Sequence, residues 1–314
     1  MTSTSPLLGA RRAAMARLAS GGFGALAFLA GLTPASRPAR HGVERLRDVA
    51  YGPHPRQHLD VFRPIGRTSG LPVVFYIHGG GFRAMSKDSH WLMGLAFARR
   101  GHLVFNVDYR LAPQHPFPTP AQDVFAAWAW VLDHLEEYGG DPERVVVAGE
   151  SAGANLCCAL TIAACYPRPE PWARAVFDRG RVPDAALPAC GILQVSAPER
   201  FLQRRALPWY VRDMLFDPMA CYLGEQAPEA HPLADPLLLL EAGQPPARPL
   251  PRVFAAVGTR DPILDDTRRL GAALARLGVE HTVRVYPGEI HAFHALVWRP
   301  AARACWREML AFIE

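Results

Sequence analysis

Beyond His58 the chain alternates short apolar runs rich in Val, Ile and Phe with longer stretches whose apolar residues recur at helical spacing. A mainly parallel sheet with helices on both faces requires that alternation, because each parallel strand is buried on two sides and reached through a crossover. The fold class read from it is α/β. The spacing predicts strands at residues 59–62, 73–77, 103–107, 145–148, 191–195, 253–257 and 282–285. Pro120 opens a helix in which Val124, Trp128, Val131 and Leu135 share a face until Gly139-Gly140 ends it. Further helices are expected after Ser151 and over residues 263–277 and 301–313.

With 314 residues the chain is long enough for one α/β domain with additions. Residues 58–314 are expected to form the main domain. A Pro-rich insertion at 198–251, carrying Trp209, Tyr210, Leu215 and Phe216, interrupts it where such folds build substrate pockets. Residues 1–57 form a separate N-terminal segment.

The formal charge of +5 is matched by residues 1–40 alone, which hold Arg11, Arg12, Arg17, Arg37 and Arg40 and no acid. The remainder is balanced, and no basic stripe with interleaved aromatics speaks for nucleic acid. The six cysteines form no C-x-x-C pair, so they are read as small packing residues, which fits a cytoplasmic, reducing setting. The N-terminus points elsewhere: Arg11, Arg12 and Arg17 precede an apolar run at 18–32 that is shorter than the roughly 20 residues of a membrane span. Signal peptide, peripheral membrane anchor and cap helix all fit that run. Oligomeric state leaves no mark in the sequence.

Val145-Val146-Val147-Ala148 leads directly into Gly149-Glu150-Ser151-Ala152-Gly153, which is followed by a helical pattern. A serine at such a strand-turn-helix junction is held in a strained backbone that lifts its hydroxyl clear of the sheet, and small neighbours at Gly149 and Gly153 permit it. The bland alternative is a Gly-rich helix cap with a structural serine. A second element argues against that: the strand at 73–77 ends in His78-Gly79-Gly80-Gly81-Phe82. Glycines there free backbone amides to face a ligand. Were Ser151 to attack an acyl group, the amides of Gly79, Gly80 and Ala152 would receive the oxyanion, and each such donor contributes about 3 kcal/mol in the transition state. A phosphate cradle is the rival, but no Gly-Lys-Ser/Thr follows.

A serine hydroxyl needs a base within hydrogen-bond reach and a carboxylate to orient that base. Asp261 follows the strand at 253–257 and His291 follows the strand at 282–285, so both stand at the same sheet edge as Ser151. Asp261 is preferred to Asp265 and Asp266, which fall in a first helical turn where acids commonly serve the helix start. His291 is preferred to His294 because it lies nearer the strand end. Asp108 and Arg110 are read as a structural ion pair, while Glu150 receives no assigned role. No histidine spacing suggests a zinc site, and neither metal nor cofactor is needed for this chemistry.

These motifs resemble the hormone-sensitive-lipase-like, or HGGG, family of α/β-hydrolases, which includes bacterial carboxylesterases and lipases. The matching segments are His78-Gly79-Gly80-Gly81, Asp108-Tyr109-Arg110-Leu111-Ala112-Pro113 with His115-Pro116-Phe117-Pro118, Gly149-Glu150-Ser151-Ala152-Gly153, Asp261-Pro262-Ile263-Leu264-Asp265 and His291-Ala292-Phe293. Gln114, where the family commonly has an acid, and Ala154, where it often has glycine, depart from the pattern. The resemblance implies an α/β-hydrolase fold, triad roles for Ser151, Asp261 and His291, the oxyanion role above, and a cap built from the N-terminus and the later insertion. It also implies a small-molecule ester of short to medium acyl length as substrate. The same residues fit an amidase or deacylase, and a ligand-binding relative that has left catalysis is a third reading.

Overall fold

Val73, Phe75 and Ile77 point to one side of their strand and Val74 and Tyr76 to the other, and all five are buried. A strand with no wet face belongs inside a sheet covered twice. In the computed structural model, which describes residues 31–204, 206–225 and 231–314 with isolated helical positions between 11 and 30, that strand lies within an eight-stranded sheet. The strands are β1 (Val43–Ala50), β2 (His58–Pro64), β3 (Leu71–Ile77), β4 (Leu103–Val107), β5 (Gly140–Glu150), β6 (Ala185–Ala189), β7 (Arg252–Gly258) and β8 (His281–Tyr286). Their order is β1-β2-β4-β3-β5-β6-β7-β8, parallel from β4 to β8 and antiparallel where β2 meets β1 and β4.

Helices Thr119–His134, Ala152–Cys165 and Leu264–Arg276 cover one face, where Phe75 packs edge-to-face on Trp128 with ring centres 5.5 Å apart. Helices Trp91–Ala98 and Pro300–Ile313 cover the other, around Phe97, Trp306 and Leu310. All six cysteines are unpaired, and every one but Cys221 is buried.

The structure departs from the sequence reading in three places. The sheet begins at Val43 rather than near 58, because Val43–Ala50 is a charged, half-wet edge strand held by pairing with β2 and by the Arg45 contact to buried Asp60. The fifth predicted strand, at 191–195, is displaced to Ala185–Ala189. Residues 193–195 find other partners: Leu193 N and Gln194 N donate to the Asp266 carboxylate and Val195 N to that of Asp235. Asp108 and Arg110 do not pair with each other. Arg110 grips Asp123 of the Thr119–His134 helix through its backbone N–H and guanidinium, a bidentate arrangement stronger than a single exposed contact, and Asp108 accepts from Lys87 N.

The inserted region contributes helices Phe201–Arg204, Trp209–Leu223 and Pro236–Glu241. The Trp209–Leu223 helix sits over the carboxyl edge of the sheet. Its Tyr222 stacks on Phe82 at 3.6 Å, its Asp217 pairs with Arg83, and its Pro218 occupies the space a side chain on Gly81 would need. Arg11 reaches the same helix, donating to Asp213 at 2.9 Å and lying over the Trp209 ring. Of the apolar run expected at 18–32, residues 22, 24, 25, 27 and 29–32 are described, and those up to 31 are helical. Among those described, no helix is long and apolar enough to cross a membrane.

Asp266 carries much of the local order, being fully buried and bound to two backbone amides and Arg200. Replacing it leaves Arg200 without its counter-charge and two amides without an acceptor, so Asp266→Ala should lower stability by about 3 kcal/mol. The neighbouring Asp265→Ala, at a partly exposed position, should change it by no more than about 0.5 kcal/mol. Urea unfolding of the two variants measures both.

Candidate active site

β5 delivers Ser151 to the sheet edge in a conformation few residues tolerate, with φ 53° and ψ −114°. The turn is this sharp because the following helix is pressed against the strands. A Cβ on Gly153 would lie 2.1 Å from the Ile77 carbonyl oxygen, and one on Gly149 would lie 2.5 Å from the Gly153 carbonyl oxygen. Ser151 N donates to Ala189 O of β6 at 2.9 Å, which fixes the turn from the other side. The hydroxyl therefore stands at the N-terminus of the Ala152–Cys165 helix, where amide dipoles favour negative charge.

His291 comes from the loop after β8. Its Nε2 lies 3.0 Å from Ser151 Oγ, and its Nδ1–H donates to Asp261 Oδ2 at 2.9 Å. Asp261, just past β7, is fully buried, and its second oxygen accepts from Ile263 N. This arrangement fixes the tautomer: with Nδ1 protonated, the Nε2 lone pair faces the serine proton. Desolvation of the ring opposes its charging, but the Asp261 charge and hydrogen bond, with a smaller contribution from Glu150, outweigh that and raise the imidazole above its ordinary value. Asp265 and Asp266 lie elsewhere, and His294 contacts Glu150 rather than Ser151.

The glycine loop follows β3. Gly80 has φ 108°, and a Cβ there would meet the Ala84 carbonyl oxygen at 2.1 Å, so the loop closes only on glycine. Gly80, Gly81 and Ser151 line one cavity. Gly79 instead backs onto the Glu150 side chain. His78 is buried and stacked on Tyr109 at 4.3 Å, its Nδ1 2.6 Å from Gly79 O. Burial pushes it below the usual imidazole value despite Asp108. It braces the loop.

The cavity holds about 410 Å³ and is walled mainly by Ile192, Val211, Met214, Leu215, Pro218 and Ile263. Of the insertion's Trp209, Tyr210, Leu215 and Phe216, expected near a pocket, Leu215 lines the cavity. Trp209 and Tyr210 are instead 53 % and 45 % exposed and Phe216 is buried, because the helix turns Val211, Leu215 and Pro218 inward.

Sequence reasoning also missed Cys190, which has φ 48° and lies against Asp261 and His291. Its donor atom lies within 4.8 Å of those of Asp261 and His291. Burial and the nearby Asp261 push this thiol well above its usual range, and Asp261 and His291 are already bonded to each other, so Cys190 is a neutral thiol behind that pair. Nothing in its spacing along the chain could have shown this.

Residues 74–295 match the family described as the alpha/beta hydrolase fold. The chain is 31 % identical over 255 residues to carboxylesterase NlhH of Mycobacterium tuberculosis, an alignment covering 80 % of this chain and 76 % of that one. It is 34 % identical over 166 residues to hormone-sensitive lipase of Mus musculus, covering 50 % of this chain and 20 % of the lipase. Among solved structures, a bacterial heroin esterase superposes with a TM-score of 0.77 at 25 % identity, covering 99 % of this chain and 97 % of that one.

Because the raised imidazole must be neutral to accept a proton, activity on a neutral substrate should fall as pH drops through a value above the ordinary 6.5. Asp261→Asn removes the charge that supports this and presents the wrong hydrogen-bonding group to Nδ1. Its kcat should fall by about 10⁴, and the acidic limb of kcat/KM should move to lower pH. A pH–rate series on both proteins reads the two effects together.

Proposed function

The chain belongs to the alpha/beta hydrolase fold family in its hormone-sensitive-lipase-like branch and is a carboxylic ester hydrolase, and on that premise we propose that Ser151, His291 and Asp261 cleave esters of short to medium acyl chains. The observation that carries this reading is the unbroken chain of contacts from Asp261 through His291 to Ser151, 2.9 and 3.0 Å long, opening into an apolar cavity.

In the proposed cycle, Ser151 Oγ attacks the ester carbonyl carbon while its proton passes to His291 Nε2. The oxyanion receives hydrogen bonds from the amides of Gly79, Gly80 and Ala152. When the tetrahedral adduct collapses, the C–O bond to the alcohol breaks and the departing oxygen takes the proton from His291. His291 then removes a proton from water, whose oxygen attacks the acyl-enzyme; the carboxylic acid leaves and Ser151 regains its proton. Asp261 stays ionised and stabilises the imidazolium.

The cavity supports the proposed acyl length. About 410 Å³ lies toward the small end of the roughly 300–1,000 Å³ typical of ligand pockets. Val211, Met214 and Leu215 make one wall, which supports reading the Trp209–Leu223 helix as part of a cap over the acyl chain. Arg83 also faces the cavity but is paired with Asp217, so this wall offers a carboxylate-bearing substrate little net charge.

Nitrophenyl acetate, butyrate, octanoate and palmitate test the reading. The three shorter esters should be hydrolysed and the palmitate poorly, and Ser151→Ala should lose about 10⁶ in kcat. Leu215→Trp, which fills the cavity, should lower the octanoate-to-acetate ratio of kcat/KM by about tenfold. Undiminished hydrolysis by Ser151→Ala would sink the assignment. A matched amide compared with the ester separates esterase from amidase, because the leaving nitrogen must be protonated by His291.

A further inference from the structure

The residue before the nucleophile is a buried carboxylate that the cycle above does not use. Glu150 is 6 % exposed, its Oε1 lies 2.8 Å from His90 Nε2, and its Oε2 lies 2.7 Å from His294 Nε2. Each ring nitrogen of His90 faces an oxygen, since its Nδ1 lies 2.9 Å from Ser89 Oγ and 3.1 Å from Ser86 O. His90 opens the Trp91–Ala98 helix, in the segment that continues from the glycine loop. His294 lies in the short helical turn Phe293–Ala295, on the same loop as His291. The glycine loop itself packs on this carboxylate: a Cβ on Gly79 would stand 3.3 Å from Glu150 Oε1. One side chain thus touches the three segments that carry the nucleophile, the glycine amides and the base. A lone anion so near a developing oxyanion would oppose it, so the two imidazoles are needed as its partners.

We propose that Glu150, clamped between His90 and His294, is a positioning residue for ester cleavage: it holds Ser151, the glycine loop and the His291 loop in register and adds negative charge that supports the imidazolium of His291. The inference rests on the roles proposed for Ser151, Asp261 and His291. Supporting it, desolvation of Glu150 favours its neutral form, yet His90 and His294 outweigh that and hold it well below the usual carboxylate range. Its charge acts on His291 in the same direction as Asp261. The other titratable groups facing Glu150 are Tyr76, Tyr109 and Cys190, and burial pushes all three upward, so they stay neutral at pH 7. The two carboxylates that raise His291 are Asp261, which contributes more, and Glu150.

Glu150→Gln in the full chain is the test, because the amide keeps the shape and can still hydrogen bond one histidine on each side. Relative to wild type, kcat on nitrophenyl butyrate should fall about tenfold with KM within about twofold. The acidic limb of kcat/KM should move to lower pH, a change that loosened packing alone would not produce. Wild-type kcat together with a wild-type pH limb would overturn the proposal. If the Gln variant does not fold, as read by thermal unfolding, Glu150→Asp decides. It retains the charge but is one methylene too short to reach both imidazoles, so kcat should fall while the limb stays in place, and an unchanged kcat would overturn the clamp. Ser151→Ala run alongside keeps the two ideas apart: if it remains active, the catalytic assignment has failed rather than the role of Glu150.

Discussion

Everything at this site depends on how closely the Ala152–Cys165 helix approaches β3. The Gly153 backbone lies against the Ile77 and His78 carbonyls, leaving no room for even one methyl group. That approach forces the bend at Ser151 and places the first amides of the helix beside the glycine loop that follows β3. If the helix stood off by the thickness of an alanine side chain, Ser151 and the amides proposed to receive its oxyanion would separate. The strained φ of Ser151 is the local cost of this packing, offset by apolar burial along the strand and helix that it joins, where Val147 and Leu156 share one core.

The same loop is held from above. Phe82 stacked on Tyr222, Arg83 paired with Asp217 and Pro218 seated over Gly81 fasten the Trp209–Leu223 helix to the residues next to the glycine amides. A wall of the cavity and the glycine loop are therefore one packed unit. Changes in the inserted helix that alter the cavity will be felt by the loop unless they spare these three contacts.

Much of this was legible in the sequence, and the parts that were not share a physical cause. β3 and β4 stood out because burial on both faces demands continuous Val, Ile and Phe. β1 did not, since an edge strand with charged side chains has no apolar stripe to betray it. β6 is Ala-Ala-Leu-Pro-Ala, which lacks β-branched residues, while the more strand-like run just after it is held by Asp266 and Asp235. Ser151, Asp261 and His291 could be chosen because each closely follows a recognisable strand, and the structure brings those three together. The Glu150 clamp had no such signal. His90 stands 60 positions from Glu150, and only the folded sheet reveals that they meet.

The strand order has a meaning that a list of pairings hides. β3 hands the chain to β4 on one side, while its neighbour on the other is β5, so the connections after β3 and β5 depart in opposite directions. Loops that diverge leave a gap between them, and in open parallel sheets such a reversal point is where ligands settle. Here the glycine loop lines one bank of that gap and the serine turn the other. The crevice is thus a by-product of winding direction, present before any side chain is chosen, and the residues around it specialise a vacancy that the backbone path had already created.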